Sequence, residues 1–195
     1  MLTRNFDNIL TCWQLATAAS GTTAPDTAPN TSTFTDADLA PKDWQGDFCK
    51  VYPQKWLFNG FTSNVNSVDG NCPVLVIGGS NEDEDYDAWN IGSYNSSWVT
   101  VTSHSYDAPI YDAVNKTWTT HYHKTFRASQ NLTITNVGVF CASISKSGVS
   151  RSTMVYMKKL ETPIELTTGQ SVTKTFTTTV AANQNKPIVT ASATT

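Results

Sequence analysis

Alternation of apolar and polar residues with a period of two is the feature that most constrains the fold of this chain. It runs from Trp118 to Phe126, from Leu132 to Thr135 and from Val172 to Val180, with one departure from the strict period at Thr178. Because successive side chains of a strand point to opposite faces, each run predicts a strand with one buried and one hydrated face.

Turn residues separate these runs at spacings typical of an all-β domain. Asn59-Gly60 and Asp69-Gly70 are tight-turn signals, and Pro73 to Ile77 is an apolar run that ends at Gly78-Gly79 and predicts a fully buried strand. Short strands about 8–12 residues apart favour an antiparallel β-sandwich, of the jelly-roll or immunoglobulin-like kind. The composition agrees, because Thr, Val and aromatic residues are plentiful whereas charged residues make up only 15%.

The first 43 residues do not share this pattern. Apolar residues three and four apart within residues 1–15 predict a short helix, and residues 16–43 have the Thr, Ala and Pro content of a linker or an extended arm. We therefore predict an N-terminal arm over residues 1–43, a sandwich domain over residues 44–180 and a C-terminal tail over residues 181–195.

The apolar side chains of the arm predict a partner. Burying such side chains is worth roughly 1.5–3 kcal/mol each, whereas ordering the chain costs on the order of 1–2 kcal/mol per residue. The arm would then not hold itself in place, so we expect residues 1–43 to pack little against their own domain and to bind a neighbouring subunit. The predicted partner-binding residues are Leu2, Phe6, Ile9, Leu10 and Trp13.

Charge and cysteine content narrow the function classes. The net charge of −3 gives no basic footprint for nucleic acid, and no run of about 18 apolar residues predicts a membrane span. Neither nucleic acid nor membrane is therefore an expected partner. The four cysteines form no C-x-x-C motif and no export signal precedes them, so we predict four free thiols: Cys12, Cys49, Cys72 and Cys141.

Catalytic and metal-binding patterns are weak. The sequence contains no G-x-S-x-G, P-loop or H-E-x-x-H motif, and we predict no enzymatic activity, no catalytic residue and no cofactor. His121 and His123 lie two apart on a predicted strand and would share a face, which is one way to hold a metal. The sequence fixes no third ligand, with His104 only an option, so the prediction is no metal site.

An acidic run from Asn81 to Asp87 has a partial likeness to a calcium loop. Asp83, Asp85 and Asp87 match the first three liganding positions, but Ala88 stands where such a loop needs Gly, and Tyr94 where it needs a bidentate Glu. The EF-hand interpretation fails on those two positions. A solvated loop is the prediction, with a looser calcium site left open as the alternative.

Tryptophan is frequent, and its placement leaves two interpretations open. Aromatic rings could form a platform for sugars, or they could pack in the core and at interfaces, which is the favoured interpretation. The tryptophans concerned are Trp44, Trp56, Trp89, Trp98 and Trp118.

The order of motifs in the second half carries a resemblance. The motifs are Val76-Ile77-Gly78-Gly79, Asp85-Tyr86, Ile134 to Phe140, Leu160 to Gly169 and Val172 to Val180, and the chain opens with Met1-Leu2-Thr3-Arg4-Asn5-Phe6. This arrangement resembles that of tailed-bacteriophage virion structural proteins, a family of accessory β-sandwich proteins of the head, neck or tail.

The resemblance implies a non-enzymatic structural role and a location in the virion. Its expected partners are other virion proteins, namely capsid, neck or tail subunits, in a homo-oligomer or symmetric array. A head-attached decoration or head-fibre component held by its N-terminal arm is the expected function, and a neck or tail adaptor or fibre component is the first alternative. A carbohydrate-binding, receptor-binding β-sandwich is the alternative from another class.

Overall fold

The computed structural model describes residues 1–8, 42, 44–46, 49–50, 74–145, 150–181 and 189–194. Residues 4–8 are helical. The strands in these ranges are β1 (Cys49–Lys50), β2 (Val74–Gly78), β3 (Val99–Tyr106), β4 (Ile110–Asp112), β5 (Thr117–Ala128), β6 (Leu132–Ser145), β7 (Ser150–Leu166), β8 (Ser171–Ala181) and β9 (Val189–Thr194).

Two antiparallel sheets make up the fold. In the first, which we name the covered sheet, β6 pairs with β1 and β2 on one side and with β7 on the other. In the second, which we name the open sheet, β5 pairs with β3 and β4 on one side and with β8 on the other, and β9 lies beyond β8. The all-β sandwich predicted from the sequence is confirmed.

The main core lies between the two sheets. In β5, Tyr122, Phe126 and Ala128 face inward and are buried, while the residues on the opposite face of the strand are more exposed, which is the alternation visible in the sequence. The covered sheet contributes inward residues such as Ile77 and Val139, both 1% exposed or less. The two sheets thus bury the apolar half of each alternating strand against each other.

Two lysines share this core. Lys124 and Lys174 are opposite each other on β5 and β8 and both are buried. Lys124 Nζ donates a hydrogen bond of 2.9 Å to the carbonyl of Leu75 on β2, whereas Lys174 Nζ has no acceptor among the described residues. Burial lowers the pKa of Lys124 to about 8 and also lowers that of Lys174, because a charged amine is disfavoured away from water.

A second apolar cluster covers the other face of the covered sheet. Residues 79–98 cross this face and place Ile91 against it, in contact with three buried side chains of β6 and β7. These are Phe140, Met154 and Met157. The loop is closed at its base by hydrogen bonds between Gly79 N and Gly92 O (3.2 Å) and between Ser80 N and Ile91 O (3.2 Å).

Three details of the strand boundaries differ from the sequence prediction. Thr162-Pro163, which is a strand-breaking signal in the sequence, lies within β7; the strand continues to Leu166 because the extra residues are absorbed as an irregularity in the pairing with β6. The short strand β4 was not predicted. The expected tail over residues 181–195 contains β9, which pairs with β8 from Val180 to Thr175.

The first eight residues also differ from their prediction. Leu2 pairs with Tyr156 of β7, and Phe6 is 4% exposed within the main core. The expectation that residues 1–43 pack little against their own domain is therefore wrong for residues 1–8, because a free edge of β7 and a place in the core are available to them. Ile9, Leu10 and Trp13 lie outside the described residues, and their binding to a partner remains a prediction.

Candidate functional site

The outer edge of β7 receives residues 1–3 as a short antiparallel strand. Thr3 N donates to Val155 O at 3.1 Å, and Met157 N donates to Met1 O at 2.8 Å, on either side of the pair formed by Leu2 and Tyr156. An edge strand otherwise presents unpaired backbone groups that attract other chains. The segment therefore satisfies the part of this edge on which it lies.

Two buried polar side chains fix the position of the segment along the edge. Thr3 Oγ1 and Asn5 Nδ2 both donate to the carbonyl of Met154, at 2.9 and 3.0 Å. The Asn5 amide also donates to Lys42 O at 3.0 Å and accepts from Lys42 N at 2.7 Å. Because Thr3 is fully buried and Asn5 is 5% exposed, displacing the segment by one residue would leave polar groups unsatisfied in the interior.

The acidic loop, residues 81–87, holds the segment from the other side. Arg4 N donates to Tyr86 O at 2.7 Å. The Arg4 guanidinium pairs with Asp87 and lies 5.0 Å from the centre of the Tyr86 ring. The Tyr86 hydroxyl donates to Asp7 at 2.6 Å, and the α-ammonium of Met1 lies 3.1 Å from Glu84. We name the β7 edge and the acidic loop together the seat of the N-terminal segment.

The seat is tied to the covered sheet by a buried amide. Asn136 of β6 is fully buried; its Oδ1 accepts from Asn81 N at 2.9 Å and its Nδ2 donates to Glu82 O at 3.0 Å. Lys158 and Lys159 of β7 add ion pairs of 3.0 Å to Glu84 and 2.8 Å to Asp83. The loop is thus held at both its backbone and its carboxylates.

The charges of the seat are fixed at neutral pH. A hydrogen bond from Arg4 lowers the pKa of Asp87, and one from Lys159 lowers that of Asp83. Burial raises the pKa of Glu84, but Lys158 and the Met1 ammonium lower it by more, so the net change is downward. Carboxylates with lowered pKa stabilise the folded state above their ordinary pKa, and this contribution is lost as the pH falls through the folded values.

The calcium alternative gains no support from this arrangement. The carboxylates of Asp83, Glu84 and Asp87 each pair with a cation of the same chain. In the described ranges, no group of three or more His, Cys, Asp or Glu side chains is placed to hold a metal ion. Beside the loop lies a groove of about 630 Å³, lined by acidic side chains together with Trp89 and Asn90.

The two histidines are part of a polar ladder on the outer face of the open sheet. His121 Nδ1 and His123 Nδ1 each lie 2.8 Å from a threonine hydroxyl of β8, Thr177 and Thr175 respectively. His123 Nε2 also lies 3.0 Å from Asp107. His104 stands opposite the buried Lys124, on the inner side of the sheet, so it is not a third ligand for this pair.

Two of the described tryptophans, Trp98 and Trp118, lie far apart, whereas Trp44 lies near Trp89, because its carbonyl accepts a hydrogen bond from Asn90 at 3.3 Å. Trp98 stacks on Tyr94 with ring centres 5.5 Å apart, and Trp118 packs on Tyr111 at 4.9 Å. Trp98 precedes the end of β3 that pairs with Ala128, whereas Trp118 is ten residues away along β5, a distance of roughly 33 Å. These two rings do not form one platform, Trp89 lies by the groove, and Trp56 lies outside the described residues.

Two of the four cysteines, Cys49 and Cys141, lie in the described part of the chain. Cys12 and Cys72 lie outside the described residues. Cys49 on β1 is opposite Ser145 of β6, four residues from Cys141, so the two Cα atoms are roughly 13 Å apart. A disulfide needs Cα atoms within about 7 Å, which excludes this one pairing. The four free thiols otherwise remain a prediction.

Comparisons with family models, with curated proteins and with solved structures produced no match to this chain. Over the described part of the chain, no helix has the length and apolar content to cross a membrane. The seat of the N-terminal segment is the best-defined candidate site, and sequence reasoning found only its apolar half. Thr3, Asn5 and Asn136 were missed because nothing in a sequence marks a buried polar residue as buried.

Proposed function

We propose that this chain is a non-enzymatic structural protein of a tailed-phage virion, most directly a head-attached decoration or head-fibre component. A neck or tail adaptor or fibre component is the alternative within the same class. The proposal rests on the resemblance carried by the motif order of the sequence, and on one observation about the fold.

That observation is the seat of the N-terminal segment. A sheet edge that accepts an extended segment by backbone hydrogen bonds, and selects it by side-chain pockets, is a common way for one chain to bind another. Here the edge of β7 supplies the backbone groups through Val155 and Met157, and the acidic loop supplies the selective charge. A domain with such a seat is suited to a particle in which subunits are joined by arms.

The packing of the domain also supports a structural role. The covered sheet is packed on both faces, by the open sheet on one side and by Ile91 and its neighbours on the other. The long pairing of β5 with β8 extends over eleven residue pairs, from Thr117 to Arg127. Repeating a rigid module around a symmetric shell turns modest contacts into avidity.

Locating the chain in purified particles tests the proposal. Particles from the host that produces this chain are analysed by mass spectrometry and labelled with an antibody against the sandwich domain. We expect the chain at a fixed ratio to the major capsid protein, with label on the head. Label at the neck or tail would favour the adaptor alternative, and absence from the particles would contradict the proposal.

A carbohydrate-binding function is the second candidate, favoured by the groove beside the acidic loop. Trp89 is 41% exposed at this groove, next to Asn90 and the carboxylate of Asp85. An exposed ring beside hydrogen-bonding side chains is the usual composition of a sugar site. Lys42 Nζ lies 5.2 Å from the ring centre, and Gly46 also lies beside the ring.

A glycan array tests this second candidate with matched variants. Trp89→Ala removes the ring at the groove, whereas Trp98→Ala removes a ring of similar exposure that stacks on Tyr94 away from it. Binding that is lost in the first variant and kept in the second would establish the site. The absence of binding by the unmodified chain would remove this candidate.

A further inference from the structure

We propose that residues 1–8 of one copy occupy the seat of a second copy, so that neighbouring copies in an assembly are joined by exchanged N-terminal segments. The partner is thus a second copy of this chain. The inference rests on the proposed function for its crowded setting, but it is tested separately from it.

The described contacts of the segment with β7 and the acidic loop are made with residues far away in sequence, and the Asn5–Lys42 hydrogen bonds span 37 residues. Thr3 contacts Met154 and Val155, and Arg4 contacts Tyr86 and Asp87, at separations of about 80 to 150 residues. None of these contacts depends on the segment and the seat belonging to the same chain. A segment from a second copy would therefore make the same hydrogen bonds and ion pairs.

The chain between the segment and the rest of the domain is long enough for exchange. Residues 9–41 number 33 and separate Asn8 from Lys42. At 3.3–3.6 Å per residue this length spans up to roughly 110–120 Å, whereas a domain of this size is roughly 35–40 Å across. The segment can thus reach the seat of an adjacent copy.

The energetic difference between the closed and exchanged forms is small. Because the contacts are the same, the two forms differ mainly in the cost of bringing segment and seat together. Tethering of this kind corresponds to an effective concentration on the order of millimolar. In dilute solution each segment stays on its own domain, while copies packed side by side on a particle reach comparable local concentrations and exchange.

The seat selects this segment and not an arbitrary strand. The Asn5 amide matches the backbone of Lys42 with both a donor and an acceptor, and Phe6 fills a place in the main core. Arg4 forms an ion pair with Asp87 that a neutral or acidic residue at this position would not form. These requirements are met by residues 1–8 of any copy, which is why the second copy is the occupant.

Isotope mixing tests the exchange with the unmodified full-length chain. Equal amounts of ¹⁴N- and ¹⁵N-labelled protein are incubated at about 10 μM and at about 1 mM, then treated with a carbodiimide, which links adjacent carboxylates and amines. The Met1 amine lies 3.1 Å from Glu84 and reports the segment on its seat. Lys158 lies 3.0 Å from the same carboxylate and belongs to the domain itself, which makes it the internal control.

We expect mixed-isotope peptides for the Met1–Glu84 link at 1 mM, rising toward about a quarter of that link, because about half of the links then join two copies and half of those join different isotopes. Almost none are expected at 10 μM. The Lys158–Glu84 link stays unmixed at both concentrations. Unmixed Met1–Glu84 peptides at 1 mM, or mixing of both links alike, would overturn the inference. Arg4→Glu should reduce the Met1–Glu84 link and leave the Lys158–Glu84 link intact, and equal loss of both also counts against the inference.

A chain that exchanges in solution yet is missing from particles would refute the proposed function and keep the exchange. A chain that is present on particles but shows no mixing would refute the exchange and keep the proposed function. The two experiments therefore fail independently.

Discussion

The outer faces of the two sheets differ in polarity and in how their side chains are accommodated. The covered sheet has an apolar outer face, on which the loop of residues 79–98 places Ile91 against Phe140 and Met157. The open sheet has a polar outer face, on which threonines and histidines of β5 and β8 bond to each other across the strands. The apolar side chains of the first face are removed from water by the loop, and the polar side chains of the second face form hydrogen bonds with one another.

The difference explains why the candidate site lies where it does. A loop that is already packed on the covered sheet can carry charged residues at fixed positions, and Asn136 holds its backbone from beneath. The open face has no such superstructure among the described residues. The candidate binding site therefore lies on the covered sheet, where the loop holds its charged residues at fixed positions. The outer face of the open sheet presents the hydroxyl groups of the threonine ladder.

Gly78→Ala is expected to break the covered face most severely. A Cβ at this position would lie 2.2 Å from the carbonyl oxygen of Ile91, which is backbone and has no rotamer to change. Overpacking of this kind costs about 3 kcal/mol or more of the free energy of unfolding, at the upper end of its usual range. Chemical denaturation measures it.

Ser103→Thr is the matched control on the open face. It adds a methyl group to an exposed position of β3 and should change the free energy of unfolding by less than about 0.5 kcal/mol. If the two substitutions had similar effects, the two faces would not differ in packing as described.

Ile91→Ala is expected to have the next largest effect. The side chain is fully buried against Gly138 and Phe140, and its removal leaves a cavity that the loop only partly closes. A loss of about 2–3 kcal/mol is expected from denaturation curves, at the low end for an Ile→Ala change because a loop can relax. Ile110→Ala on β4 is the control, since this isoleucine is 58% exposed and should cost less than about 0.5 kcal/mol.

Lys124, in the core between the two sheets, makes the stability of the domain depend on pH. Because its pKa is lowered from 10.5 to about 8, the unfolded chain binds more protons than the folded chain in this interval. Stability should therefore rise with pH above about 8, by roughly 2 kcal/mol between pH 7 and pH 10. Denaturation at a series of pH values measures the slope.

Lys124→Met should flatten most of that slope, because an apolar side chain of similar length has no proton to lose. Lys174, whose pKa is also lowered by burial, supplies the remainder. Lys116→Met on the exposed β4–β5 turn is the control for the loss of a lysine at the surface. If the slope survived in Lys124→Met and disappeared in Lys174→Met, the pH dependence would come from Lys174 and this prediction would be wrong.

Thr177→Val is expected to have the smallest effect. It removes the hydroxyl that lies 2.8 Å from His121 Nδ1 on the open face. Because water can replace this bond and valine suits a strand, the loss should stay below about 1 kcal/mol. Thermal unfolding should show a shift of at most about 2–4 °C, and a larger shift would mean that the ladder carries more of the stability than its exposure indicates.

The alternating runs of the sequence correctly predicted most of the open sheet. Trp118 to Phe126 and Val172 to Val180 became β5 and β8, with Tyr122, Phe126 and Phe176 buried between the sheets. This works because a period of two leaves only one way to bury one side of a strand. The position of β9 was missed, since its small residues carry little of that signal.

The sequence by itself determined the all-β class, the strands with clear alternation and the apolar character of Leu2 and Phe6. Only the tertiary structure decided what those two residues pack against, because the edge of β7 is completed by residues about 150 positions away. It also decided that the acidic run, which is the exposed loop that the sequence predicts, contacts Arg4 of the N-terminal segment. Local pattern reports which face of a strand is apolar, whereas the pairing of charges and buried amides depends on contacts between distant segments that no local pattern contains.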